Sequence, residues 1–297
     1  MEDFWYVICG RTGETKKIIM KKLTLYTLGA TALLFAVTSC DDENDPGNGN
    51  ITREWTIPLS GDLEVPSNNR SETGTARLAL YTNNELRYEI TVEDLASGDA
   101  LTVAHVHTGD PVTSGPPVIT VVDGESRTFS GNTATGSIVL TQEDVDVLMG
   151  DSIYFNVHST QAPAGLVRGQ MDQEIVFADD ITLSSDNVAG GSGTIGNATA
   201  TAYIRLNADN RLFYKIEDPE TDNPLDQVTE GGIYMGAAGA EGEFLQDLSF
   251  EQADFGNTKS VNLNTSTVQT IQEEDTYIQL SSELAPDGFM RGQIDRD

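Results

Sequence analysis

The stretch "SIYFNVHS", Ser152 to Ser159, alternates strictly: Ile153, Phe155 and Val157 are apolar, while Tyr154, Asn156 and His158 carry polar atoms. A period of two is the signature of a β-strand with one face on a core, because successive side chains leave opposite faces. A one-residue slip would put Phe155 and Val157 in water, at about 1.5–3 kcal/mol for each. The register is therefore fixed. It predicts His158 on the face away from the core, on the outer surface of its sheet.

Working outward, "TARLALY", "ELRYEITV", "LTVAHVH", "PVITVV", "TGSIVL" and "GLVRGQM" are further short runs between Gly, Asn, Asp, Pro and Ser. With the opening stretch they make about seven strands in roughly 120 residues, which predicts an all-β antiparallel sandwich or barrel. Only "TQEDVDVLMG", Thr141 to Gly150, reads as a helix, with Thr141 as N-cap and acidic residues in its first turn. The pattern recurs. "NELRYEI" from Asn84 is answered by "NRLFYKI" from Asn210, and "APAGLVRGQMD" from Ala162 by "APDGFMRGQID" from Ala285. Two tandem β-domains follow, at 54–175 and 176–297, each long enough to own a core and expected to fold separately.

Only three histidines occur, and all lie within one copy: His105 and His107 in "AHVHTGD", and His158. With Ala104 and Val106 facing inward, alternation places all three on one outer face. Neutral imidazoles so placed can ligate Zn²⁺ or Cu²⁺, with affinity expected to fall through about pH 6.5 as they protonate. The competing reading is structural: the rings hydrogen-bond turn groups and hold "TGDPVTSGPP" against the sheet. Arg168 and Arg291 recur with Gly-Gln in both copies, including the copy without histidines. This favours buried guanidinium groups fixed by carbonyls or a carboxylate, Glu64 being the candidate partner, over anion binding. Gly165, Gly169, Gly288 and Gly292 suggest turns or close strand packing. There is no Gly-x-Ser-x-Gly elbow. The glycine-rich "VAGGSGTIGNATA" has no lysine and reads as a flexible turn instead of a phosphate loop. No catalytic residue is assigned.

"MKKLTLYTLGATALLFAVTSC", Met20 to Cys40, has the layout of an export signal, with Met20 the preferred start and residues 1–39 the signal region. "VTSC" followed by "DDENDPGNGN" resembles a bacterial lipobox and tether, which implies lipidation of Cys40 and a flexible acidic tether over 40–53. The expectation is an exported protein of the bacterial cell envelope, lipid-anchored at the outer membrane or cell surface. Residues 1–39 carry 5 of the 17 Lys and Arg and 3 of the 47 Asp and Glu. The remainder has 12 basic and 44 acidic groups, a net charge near −32. Such a field repels nucleic acid and anionic lipid headgroups, so nucleic-acid partners are excluded. The membrane is expected as a partner only through the anchor. The only other cysteine, Cys9, lies in the signal region, so no intrachain disulfide is expected.

Four ordered motifs carry a family resemblance: Glu64–Val65–Pro66, Ala104 to Gly109, Gly150 to His158, and Arg168–Gly169–Gln170. Together they resemble the CHRD domain, named after chordin. The second copy keeps the strand pattern and Arg291–Gly292–Gln293 but has "GIYMG", Gly232 to Gly236, for "HVHTG", and Ser281 for His158, so it is a degenerate member. The resemblance implies an immunoglobulin-like sandwich similar to copper/zinc superoxide dismutases. In those proteins an H-x-H strand, a later histidine and an arginine surround copper, the order of His105, His107, His158 and Arg168 here. No further histidine and no disulfide complete a dismutase site. The sequence therefore reads as a non-enzymatic surface or envelope lipoprotein with a binding or structural role toward a protein or extracellular ligand. The alternative is a Cu- or Zn-binding or redox protein using the three histidines.

Overall fold

The computed structural model describes residues 49–150, 152–190 and 196–296. The export signal, Cys40 and the tether to residue 48 lie outside them, as does part of the glycine-rich stretch. No helix among the described residues is long and apolar enough to cross a membrane.

The first copy contains β1 (Ile51–Ser60), β2 (Thr73–Tyr81), β3 (Glu85–Glu93), β4 (Leu101–Thr108), β5 (Pro117–Val122), β6 (Thr133–Val139), α1 (Gln142–Met149), β7 (Ile153–Ser159) and β8 (Val167–Gln170). The second contains β9 (Ile175–Ser184), β10 (Ala198–Asn207), β11 (Arg211–Ile216), the two-residue β12 (Glu220–Thr221), β13 (Val228–Met235), β14 (Glu243–Asp247), β15 (Lys259–Asn262), α2 (Thr265–Glu273), β16 (Thr276–Ser282) and β17 (Met290–Gln293). Each makes one antiparallel sheet. The orders are β5-β4-β7-β8-β1-β2-β3-β6 and β14-β13-β16-β17-β9-β10-β11-β15, with β12 on β10. Element for element these are the same topology, so the internal repeat is a repeat of fold.

Each sheet curls over its own apolar core, giving two tandem β-sandwiches. In the first, β1 and β8 join at a single register pair, Ser60 with Arg168, and there the sheet turns its two halves toward each other. Trp55, Leu78 and Ile90 come from one half of the core and Val106, Phe155 and Val167 from the other. Ile204, Tyr214, Phe250 and Ile278 belong to the second core. Gly169 and Gly292 permit the close approach at these turns. A Cβ on the first would lie 2.2 Å from the Pro58 carbonyl oxygen, and on the second 2.4 Å from Ile181.

Alternation in β7 is as read, with Ile153, Phe155 and Val157 in the core. The opposite face departs from the expectation of an outer surface. Every residue of β7 is buried, Tyr154, Asn156 and His158 included. The segments that follow β4 and β7, and the turn after β1, fold over that face and make a second, polar interior layer. Alternation fixes which way a side chain points and says nothing of what lies on top. A second correction concerns helices: α2, capped by Asn264, repeats α1 in the second copy.

Candidate metal centre

β4 and β7 are antiparallel neighbours with His105 opposite Asn156 and His107 opposite Tyr154. Ala104 and Val106 are fully buried in the core, so His105 and His107 share the other face with His158. The three rings meet, with centroids 5.6 Å (His105–His107), 5.1 Å (His105–His158) and 5.9 Å (His107–His158) apart. One nitrogen from each ring lies within 4.8 Å of the others. His105 Nδ1 and His158 Nε2 are 3.2 Å apart. Three nitrogens about one ion at 2.0–2.1 Å in tetrahedral directions are separated by about 3.3 Å, so this pair already has that spacing.

Backbone carbonyls decide which nitrogens are free. His107 Nδ1 donates to the Gly115 carbonyl at 2.9 Å, and His158 Nδ1 to the Pro163 carbonyl at 3.1 Å. A carbonyl only accepts, so both rings carry hydrogen on Nδ1 and expose the lone pair of Nε2. His107 Nε2 is buried and has no hydrogen-bond partner among the described residues. An unpaired buried acceptor costs about 1–3 kcal/mol, and metal coordination is one way to recover it. Fixing a ligand ring through its other nitrogen is the usual support of a histidine metal site. With His158 Nε2 as acceptor, His105 Nδ1 donates to it, so His105 must shift its hydrogen to Nε2 to offer Nδ1 to a cation. The rings are neutral at pH 7. Burial, followed by the charges of His158 and His107, pushes His105 down to about 4, and burial lowers both other histidines.

Behind the histidines Tyr154 stacks on His107 at 4.9 Å, and the Arg168 guanidinium lies 3.6 Å from the Tyr154 ring centre. Arg168 donates to the Asp110 carbonyl at 2.7 Å. Glu64 is not its hydrogen-bonded partner. The buried Glu64 carboxylate instead receives Asn156 Nδ2 on both oxygens at 3.1 Å. Burial raises Glu64 to about 7, partly offset by Arg168, Asn156 and Arg205. Asn156 was legible only as an outward residue. Its role appears once Glu64 is brought 92 positions along the chain to meet it.

The second copy keeps the scaffold and lacks the histidines. Arg291 lies 3.3 Å from the Tyr277 ring centre, and Tyr277 stacks on Tyr234 at 5.3 Å. Arg291 donates to the carbonyls of Ala240 and Ala237. Gly232 and Tyr234 pair with Gln279 and Tyr277 as His105 and His107 pair with Asn156 and Tyr154. Ser281 occupies the place of His158. A Cβ on Gly165 would meet the Glu64 carboxylate and one on Gly288 would meet Val188, so Val188 stands where Glu64 does. The fold therefore closes with Gly, Tyr, Ser and Val at four positions where the first copy has His, His, His and Glu.

The fold and site define a tandem β-sandwich protein with a candidate three-histidine centre in one copy only. The CHRD domain family model matches residues 55–171 and again 180–294, and the chain belongs to that family. No protein of curated function and no solved structure matches the chain.

Proposed function

We propose that this is an exported, lipid-anchored binding protein whose first copy holds one transition-metal ion, Zn²⁺ or copper, on His105, His107 and His158. The observation that carries the reading is the bare, buried Nε2 of His107 facing two other neutral imidazoles. The second copy supports it, because the same topology stands without these groups and folding alone does not require them. Imidazole suits zinc and copper, and three protein ligands leave a coordination position for an exogenous group. The role is binding, not catalysis: a non-catalytic domain fits the family. Export and anchoring rest on the Met20–Cys40 signal pattern, and the strongly acidic composition suits a soluble exterior module.

The test is titration with Zn²⁺ and with Cu²⁺ at pH 7.5, followed by elemental analysis. One equivalent, lost in His107→Ala, is the expected result. Weak binding that ignores the mutation would assign the metal to the acidic surface, and would leave the histidines as hydrogen-bonding struts for their loops.

A further inference from the structure

Arg205 sits near the C-terminal end of β10 in the second copy. Ala202, Ile204 and Leu206 of that strand face the core, so Arg205 points the other way, yet it is only 1% exposed. Its guanidinium is held by the Asp179 and Ile204 carbonyls and the Asp180 carboxylate of its own copy, and by one group of the first copy. Its Nη2 donates to the Glu64 carbonyl at 2.7 Å, and its Nη1 donates to Asp180 Oδ1 at 2.8 Å. Asp180 Oδ2 in turn accepts from the Ser67 backbone N–H at 2.6 Å. Two contacts from the second copy thus grip one turn of the first, Glu64 to Asn68.

That turn reaches both loops that orient the histidines. Ser114 Oγ donates to the Val65 carbonyl, and Ser114 adjoins Gly115, whose carbonyl holds His107. Asn68 Nδ2 donates to the carbonyls of Gly165 and Leu166 at 2.8 and 2.9 Å, on the segment whose Pro163 carbonyl holds His158. The Glu64 carboxylate receives Asn156, which lies on β7 two residues before His158 and opposite His105 of β4. The position matching Arg205 in β2 is Ala79, so this grip is peculiar to the second copy.

We propose that the second copy tunes the metal site of the first, with Arg205 as a positioning residue that acts through the Glu64–Asn68 turn on the hydrogen-bond partners of His107 and His158. This rests on the metal-binding reading above. Outer-shell groups of this kind are worth about 10–100-fold in metal affinity. Arg205 acts one step further out, so the lower end, about tenfold, is expected.

The experiment uses the full protein with Arg205→Met, which keeps most of the side-chain volume and removes the donors. Zn²⁺ affinity is measured by titration calorimetry. Nitrogen-15 shifts of the histidines in the metal-free protein report the tautomers, a clean readout with only three histidines in the chain. The expected result is affinity weaker by about tenfold and loss of the uniform Nδ1–H state at His107 and His158, with partial rescue by Arg205→Lys. A core variant remote from the turn, Phe250→Leu, should lower stability without moving either readout. Unchanged affinity and unchanged tautomers in folded Arg205→Met overturn the proposal while leaving metal binding intact. If the wild type binds no metal, the functional reading fails, and the tautomer shifts still decide whether the two copies are coupled. Should Arg205→Met not fold, Asp180→Ala removes the Ser67 contact and the carboxylate that pairs with Arg205, at a partly exposed side chain, and leaves the Arg205–Glu64 carbonyl contact in place. The same signs are expected in smaller measure, and their absence is equally decisive.

Discussion

His105 occupies a site that disfavours its own charge, since burial and two neighbouring imidazoles hold it down to about 4. In the metal-free protein its ring proton resonance should titrate near that value, well below the ordinary 6.5. The expectation that protonation begins near pH 6.5 is therefore displaced to lower pH. The sign for stability follows from linkage. Between about pH 6.5 and 4 the unfolded chain binds a proton at this residue and the folded chain does not, so this contribution to stability rises with pH across that window and is lost on acidification. A midpoint at or above 6.5 for His105 would show that the ring is hydrated and that the three imidazoles do not converge. A second prediction uses the other copy as its control. His105→Gly, His107→Tyr and His158→Ser together install the residues found at Gly232, Tyr234 and Ser281, where Tyr234 stacks on Tyr277 beside the glycine. The triple variant should fold cooperatively, losing about 1 kcal/mol for the strand glycine, and should bind no metal. Failure to fold would make the histidines structural.

At the scale of elements, what was legible followed from local period. "TARLALY" and "SIYFNVH" became β2 and β7 because alternation and burial coincide, and α1 formed where Thr141 and Asp144 cap each other reciprocally. β1 escaped the same reading despite the alternation of Trp55, Ile57 and Leu59, because Pro58 argues against a strand interior. It is tolerated because β1 meets β8 only at Ser60, leaving no ladder for Pro58 to donate to on that side. α2 escaped because "TSTVQTIQE" is rich in β-branched residues of weak helix propensity. Its one strong signal was Asn264, which caps Thr267 at 2.9 Å. The shared face of the histidines was readable from period two, whereas their burial was not. The cover comes from Glu64, from the Gly109–Pro116 segment and from Pro163, and only tertiary structure brings those to β7.

For the whole molecule, the repeated topology suggests independence and the buried contacts between copies argue for coupling. Arg205 was visible in the sequence as an arginine amid the apolar residues of "TAYIRLN", a position occupied by Ala79 in the first copy, but its destination was not. Both forces act on a fragment of residues 54–175. It retains every residue of the first core, which runs from Trp55 to Met171, and the cooperative transition expected from the sequence should persist. It loses Arg205 and Asp180, so the Glu64 carbonyl and the Ser67 N–H turn to water and the Glu64–Asn68 turn is held from one side only. A hydrogen bond to a charged group, as each of these is, contributes about 1.5–3 kcal/mol, and a domain of this size shifts its melting temperature by roughly 4 °C per kcal/mol. The fragment should therefore melt cooperatively but earlier than the intact protein, and bind Zn²⁺ more weakly. Adding Arg205→Met to the intact protein should reproduce much of that loss of affinity, whereas removing the second copy from a protein already carrying Arg205→Met should add little. A fragment that binds Zn²⁺ far more weakly than intact Arg205→Met would mean that the second copy supports the site by some route other than this arginine.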